Sequence, residues 1–93
     1  DRELLARDGF VTVVVVLERE TGKLIGEPEI ISRGFVFVRD ANDLLEAAQA
    51  LVEDVIATYA NGDLTTVLQD ALSKMFYNQT HRRPMVFAIV REV

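Results

Sequence analysis

Apolar residues run without a charge from Phe10 to Leu17, and Val11, Val13, Val14, Val15 and Val16 dominate the run. Side chains branched at Cβ are stiff at χ1 and suit a pleated surface, so the run predicts a strand. Both alternating sets are apolar: Val11, Val13, Val15 and Leu17 on one side, Phe10, Thr12, Val14 and Val16 on the other. Such a strand is expected in the centre of a sheet, covered on both faces. Thr21-Gly22 then signals a turn. Leu24 and Ile25 resume the extended pattern, Gly26 and Pro28 interrupt it, and Ile30 to Val38 continues it, with Gly34 at a bend or bulge. Proline lacks an N–H, which makes this second strand irregular or places it at an edge. The two runs form a hairpin.

A helical stripe follows. Leu44, Ala48, Leu51, Val52, Val55 and Tyr59 fall on one face of a helix from about Asn42 to Tyr59, with Asp40 or Asn42 as N-cap and Asn61-Gly62 as terminator. Asp63 can cap a second helix whose stripe is Leu64, Val67, Leu68, Ala71, Leu72, Met75 and Phe76. Pro84 prevents its continuation, and Met85 to Val90 reads as a last apolar strand. The fold class is α+β, a two-layer α/β arrangement in the order β-β-α-α-β. Two antiparallel helices bring the chain back to lay the last strand parallel to the first. The expected result is a small three-stranded mixed sheet with the helices on one face. Residues 1–9 read as a leader or linker and 10–93 as the domain. Asp1 opens the chain without a methionine, and the expectation is a segment of a longer protein.

This arrangement leaves the second sheet face uncovered. Phe10, Thr12, Val14 and Val16 lie there, and each large apolar side chain left wet forfeits about 1.5–3 kcal/mol of burial. These residues are therefore the candidate assembly face, to be covered by a second copy (a homodimer) or by the remainder of a parent protein; the alternative is that the hairpin and terminal segments close the face locally.

Composition changes the picture in three ways. A chain of 93 residues accommodates one domain, and 49% hydrophobic residues exclude a disordered tail. The lack of cysteine excludes disulfides, thiolate metal sites and a cysteine nucleophile. A net charge of −5 argues against a broad nucleic-acid surface, although Lys74, His81, Arg82, Arg83 and Arg91 concentrate positive charge near the end. No apolar run approaches the ~20 residues of a membrane span, so no membrane partner is expected.

Catalytic chemistry finds little support. His81 is the single histidine and stands beside Arg82 and Arg83, which repel a cation, so a zinc site is not expected and His81 reads as a helix-end residue. No second histidine is available to activate Ser32 or Ser73. The carboxylate pairs Glu18/Glu20 and Glu27/Glu29 read as solvated turn residues. Arg33, His81, Arg82 and Arg83 are the candidate RNA or anion contacts, because guanidinium groups suit phosphate. The order β-β-α-α-β after a short leader is also that of a type II KH domain. The loop that would grip nucleic acid there is here Ala60-Asn61-Gly62-Asp63-Leu64, with one glycine and an added acid, so binding by that route is not expected.

Nearly the whole chain resembles the C-terminal domain of ribonuclease J, a bacterial and archaeal RNA-degrading enzyme. The resemblance is carried by Asp1-Arg2 with Leu5 and Asp8-Gly9, by the valine-rich strand, by Ile30 to Val36, and by Arg82-Arg83-Pro84-Met85 through Glu92-Val93. It implies a small mixed sheet with two helices on one face. It implies a cytoplasmic parent with a metallo-β-lactamase catalytic domain, an inserted β-CASP domain and zinc. That parent cuts RNA as a 5′-to-3′ exonuclease and an endonuclease, in mRNA turnover and ribosomal RNA maturation. The histidine- and aspartate-rich zinc motifs precede this segment, so the resemblance carries no catalytic or metal residue, and no cofactor, onto it. It implies a non-catalytic accessory domain that contributes to oligomer assembly or positions the catalytic core. The alternatives are an RNA-binding module and a docking platform for another RNA-decay protein.

Overall fold

The computed structural model describes residues 9–34, 41–58 and 63–93. Within them the chain forms strand β1 (Phe10–Leu17), strand β2 (Glu29–Arg33), helix α1 (Ala41–Thr58), helix α2 (Leu64–Thr80) and strand β3 (Met85–Glu92). The sheet order is β2-β1-β3. β2 runs antiparallel to β1, with Phe10 opposite Arg33 and Val14 opposite Glu29. β3 runs parallel to β1, from Phe10 opposite Met85 to Leu17 opposite Glu92. A parallel neighbour needs a crossover of a dozen or more residues, and the helical pair supplies it. The expected mixed sheet, with the valine strand central and two helices beside it, is therefore present.

Alternation along β1 decides what is inside. Val11, Val13, Val15 and Leu17 are buried, whereas Phe10, Thr12, Val14 and Val16 are half-buried. The buried set packs with Ala48 and Val52 of α1 and with Leu68, Leu72 and Phe76 of α2; Ile30, Val86, Ala88 and Val90 complete the layer from the flanking strands. Among the described residues no helix is long and apolar enough to cross a membrane.

The element ends show where local pattern is insufficient. β2 covers Glu29–Arg33 and Gly34 turns away at φ +71°; the part of the expected strand at 35–38 lies outside the described residues. Leu24 makes a single bridge to Leu17, and the Ile25 N–H donates to the Val16 carbonyl at 2.7 Å, so the first run of the hairpin is one bridge and not a strand. β3 extends two residues beyond Val90, because Val16 and Leu17 still offer ladder partners to Arg91 and Glu92. α1 starts at Ala41, which puts Asn42 inside its first turn and not at its cap. Asp40, Tyr59, Asn61-Gly62 and the leader at 1–8 lie outside the described residues.

Helix α2 has both ends defined. Asp63 is its N-cap, as expected: Oδ1 accepts the Thr66 N–H at 3.3 Å and Oδ2 accepts the Thr66 hydroxyl at 2.6 Å. The Thr66 hydroxyl bond first, and then its N–H, hold the Asp63 carboxyl below its ordinary pKa. The folded state thus takes up this proton less readily than the unfolded chain. The stabilisation is complete above the unfolded pKa and is lost as pH falls through the lowered folded value. Asp63→Ala should lower the melting temperature at neutral pH, and its melting curve should approach that of the wild type in strong acid. A gap that stays constant across the acid range would show that the charged cap contributes nothing.

The other end is not closed by Pro84 alone. His81 adopts the left-handed conformation (φ 58°), and its N–H donates to the Tyr77 carbonyl at 2.7 Å. The Thr80 hydroxyl donates to the Phe76 carbonyl at 2.6 Å and accepts the Arg82 N–H at 3.1 Å, so one side chain joins the last turn to the connector.

Candidate functional site

Two surfaces of the domain are candidates, and they lie on opposite layers. The first is the sheet face that the helices leave open. The register aligns Ile31 with Thr12 on one side of β1, and Met85, Phe87 and Ile89 with Phe10, Thr12 and Val14 on the other. Phe87 and Ile89 are 42% and 47% exposed, and Ile31 and Ile25 are exposed as well. The Phe10 and Phe87 rings meet edge to face with centroids 6.3 Å apart. The structure therefore brings Phe10, Thr12, Val14 and Val16 together, as the sequence suggests, and surrounds them with residues the sequence reading missed. The missed residues of β3 had a signal. Val86, Ala88 and Val90 face the helices, so the two-residue period of the strand puts Phe87 and Ile89 on the other face.

The edges of the sheet are less available than its face. The Ala88 N–H donates to Gln69 Oε1 of α2 at 3.1 Å, which occupies an outward-pointing donor midway along β3. β2 is only five residues long. Short edges and covered donors disfavour strand addition.

The second surface surrounds the C-terminal half of α2. Leu68, Leu72 and Phe76 turn inward, which places Ser73, Lys74, Tyr77 and Asn78 outward. With Arg83 they line an open cavity of about 560 Å³. The Arg83 guanidinium carbon lies 4.7 Å from the Tyr77 ring centre. The His81 ring meets Tyr77 edge-on at 5.6 Å.

The four candidate anion contacts are thereby divided. Arg83 and His81 sit at Tyr77. Arg82 reaches the other way, with Nη2 donating to the Gly34 carbonyl at 3.3 Å, and joins the connector to the end of β2. Arg33 donates from Nη1 to the carbonyl of its neighbour Ser32 at 3.0 Å. Tyr77 was missed because an exposed aromatic beside a core stripe has no distinguishing spacing. Glu18, Glu20, Glu27 and Glu29 are all exposed. Among the described residues no three His, Cys, Asp or Glu side chains are grouped to hold a metal ion.

Comparison with known proteins agrees with the geometry. The sequence profile of the Ribonuclease J C-terminal domain matches residues 1–93. Ribonuclease J2 of Bacillus subtilis (strain 168) is 38% identical over 99 aligned positions, covering 100% of this chain and 18% of that protein. Ribonuclease J 2 of Staphylococcus aureus (strain NCTC 8325 / PS 47) is 34% identical with the same coverage. The chain thus spans about a fifth of the length of these relatives, 18% in each case. A match over the whole chain, together with the mixed sheet and helical pair described above, means that this chain belongs to the ribonuclease J C-terminal domain family.

Proposed function

We propose that this chain is a non-catalytic accessory domain of a ribonuclease and that a second copy of the same domain covers its open sheet face. The observation that carries the reading is the largely apolar surface of Phe10, Val14, Phe87, Ile89 and Ile31 around Thr12, on the layer opposite the helices. Its rim holds both signs of charge, Glu29 and Arg33 on β2 and Arg91 on β3. Such a surface can meet itself without accumulating like charge.

Its size sets the expected strength. Strands of eight, five and eight residues, about 4.8 Å apart and at about 3.3 Å per residue, give a footprint of about 330 Å². Stable interfaces bury about 800 Å² per partner. The face supplies less than half of that, so self-association of the domain alone is expected to be weak, with the remainder of the enzyme contributing the rest.

The parent enzyme is proposed to be a cytoplasmic zinc-dependent ribonuclease that cuts RNA with a metal-activated hydroxide in mRNA turnover and ribosomal RNA maturation. The relatives' designation as ribonucleases supports the RNA-cutting part of this reading. The described residues do not fit a zinc site, because the single histidine, His81, stands next to two arginines. The metal and the hydrolytic step belong to the rest of the enzyme.

Sedimentation equilibrium from micromolar to millimolar protein tests the assembly reading. The wild-type domain should show a concentration-dependent dimer. Val14→Asp should abolish it with helix content unchanged, since Val14 is half-buried and lies on the side away from the core. A strict monomer at millimolar concentration would overturn self-association and leave the face to the parent's catalytic core or to local closure.

A further inference from the structure

Rows of residues cross the open sheet face, and on β2 they begin with Arg33 beside Phe10, Ile31 beside Thr12, and Glu29 beside Val14. Glu29 and Arg33 are both exposed and stand symmetrically about Ile31. They are about 13 Å apart along the strand, too far to pair with each other. On β3 the same rows end in Met85, Phe87 and Ile89, which carry no charge. We propose that this pattern fixes how a second copy lies on the face. The two copies stack with their strands antiparallel, about a two-fold axis along the Ile31-Thr12-Phe87 row, and Arg33 of each pairs with Glu29 of the other. This register rests on the assembly reading above and adds to it the residues by which one copy recognises the other.

A two-fold dimer presents the same patch from both copies, so every contact off the axis occurs twice. Two aligned arrangements of the face are available. With the axis parallel to the strands, β2 lies over β3 of the second copy. Glu29 then sits on Ile89 and Arg33 on Met85, and both charges lose water without gaining a partner, which is costly. With the axis across the strands and along the middle row, β2 lies over β2. Arg33 then faces Glu29 on both sides of the axis, Phe10 faces Val14, and Thr12 and Phe87 meet their own counterparts. Moving that axis by one row sets Glu29 against Glu29 or Arg33 against Arg33, so the charges allow a single register.

The distances permit the pairing. Packed sheets lie about 10 Å apart and cross at about 30°. At about 8 Å from the centre of the face, that rotation displaces each pair by about 4 Å, which a long, flexible side chain follows. Arg33 donates from Nη1 to the Ser32 carbonyl at 3.0 Å. A guanidinium has several N–H donors, so this bond leaves others for a carboxylate. Exposed ion pairs add little affinity, whereas like charges set opposite each other are strongly unfavourable. The two pairs therefore select the register and do not make the dimer tight.

Sedimentation equilibrium of the 93-residue chain with charge-reversal variants tests the register. Glu29→Arg and Arg33→Glu should each weaken self-association at least about tenfold, because each places two like-charge contacts in every dimer. An equimolar mixture of these two variants should associate to within about threefold of the wild type, since each supplies the charge the other lacks. The chain starts from a net charge of −5, so both variants remain negative and bulk attraction does not account for such a rescue. Glu53→Arg makes the same change of charge on an exposed site of α1, in the helical layer, and should leave association within about twofold. Glu29→Gln and Arg33→Gln lose a pair without gaining repulsion and should weaken association about two- to fivefold, which keeps the test open where a reversal impairs folding. A wild-type dimer that neither reversal weakens, or reversal variants that stay apart when mixed, would overturn this register and leave self-association standing. A wild-type chain that stays monomeric would overturn the assembly reading and this register with it.

Discussion

Gly9→Ala should lower the melting temperature of the domain by about 12–24 °C, from a loss of about 3 kcal/mol at about 4–8 °C per kcal/mol. Two costs combine. Gly9 has φ +78°, and an L-residue held in the left-handed region costs about 1–2 kcal/mol. A Cβ at Gly9 would also run into backbone, meeting the Arg33 carbonyl oxygen and, at 2.5 Å, the Gly34 carbonyl carbon. Backbone cannot rotate away as a side-chain end can, and overpacking of this kind adds about 1–3 kcal/mol. Gly22→Ala is the matched control. Gly22 also has a positive φ, +73°, but nothing lies within 4 Å of its added Cβ. It should lose only the conformational part, about 1 kcal/mol or about 4–8 °C. Thermal unfolding followed by circular dichroism measures both. A Gly9→Ala loss no larger than that of Gly22→Ala would show that the strand ends separate easily and that the close approach is unimportant.

The same position links fold to function. The Gly9 carbonyl accepts the Met85 N–H at 3.1 Å, and the Gly34 carbonyl accepts Arg82 Nη2 at 3.3 Å. The start of β1, the end of β2 and the connector into β3 therefore meet at one node. Arg83 leaves that node towards Tyr77. A Gly9 substitution mild enough to fold should disturb the α2 groove before it disturbs the far end of the sheet, where Val93 and Leu17 pair at 2.9 Å.

Local pattern made part of this architecture readable. The alternation in Phe10 to Leu17 identified the buried face residue by residue, because a period of two leaves no freedom once one side is covered. The stripe Leu68, Leu72, Phe76 and the cap Asp63 were readable for the same reason: they depend on neighbours three and four residues away. What was not readable depends on distant partners. β3 runs on through Arg91 and Glu92 because β1 is still beside it, and no propensity of those two residues says so. Gly9 looks like a breaker after a charged leader, but its role is a close approach to Gly34. Arg82 and Arg83 are adjacent in sequence and alike in type, yet one holds a backbone carbonyl and the other an aromatic ring.

Phe76→Ala should be the most damaging single change. Phe76 is fully buried and heads the largest side chains of the core, between α2 and the valine face of β1. Truncation of a buried phenylalanine costs about 3–5 kcal/mol, from lost transfer energy and the cavity left behind. Small domains hold about 5–15 kcal/mol in total, so the variant should unfold at much lower urea and approach half-unfolding under mild heating. Urea titration followed by far-ultraviolet circular dichroism measures this; a loss under about 1 kcal/mol would mean that the core collapses to fill the space and that the ring is dispensable. The consequence reaches the surface groove. Phe76 and Tyr77 are successive residues, so the inward anchoring of one sets the rotation of α2 that points the other outward. The Phe76 carbonyl also receives the Thr80 hydroxyl, which in turn holds the Arg82 N–H. Phe76→Leu keeps an apolar anchor at that point and should retain most of the stability. It should also keep Tyr77 at the groove with Arg83 over its ring.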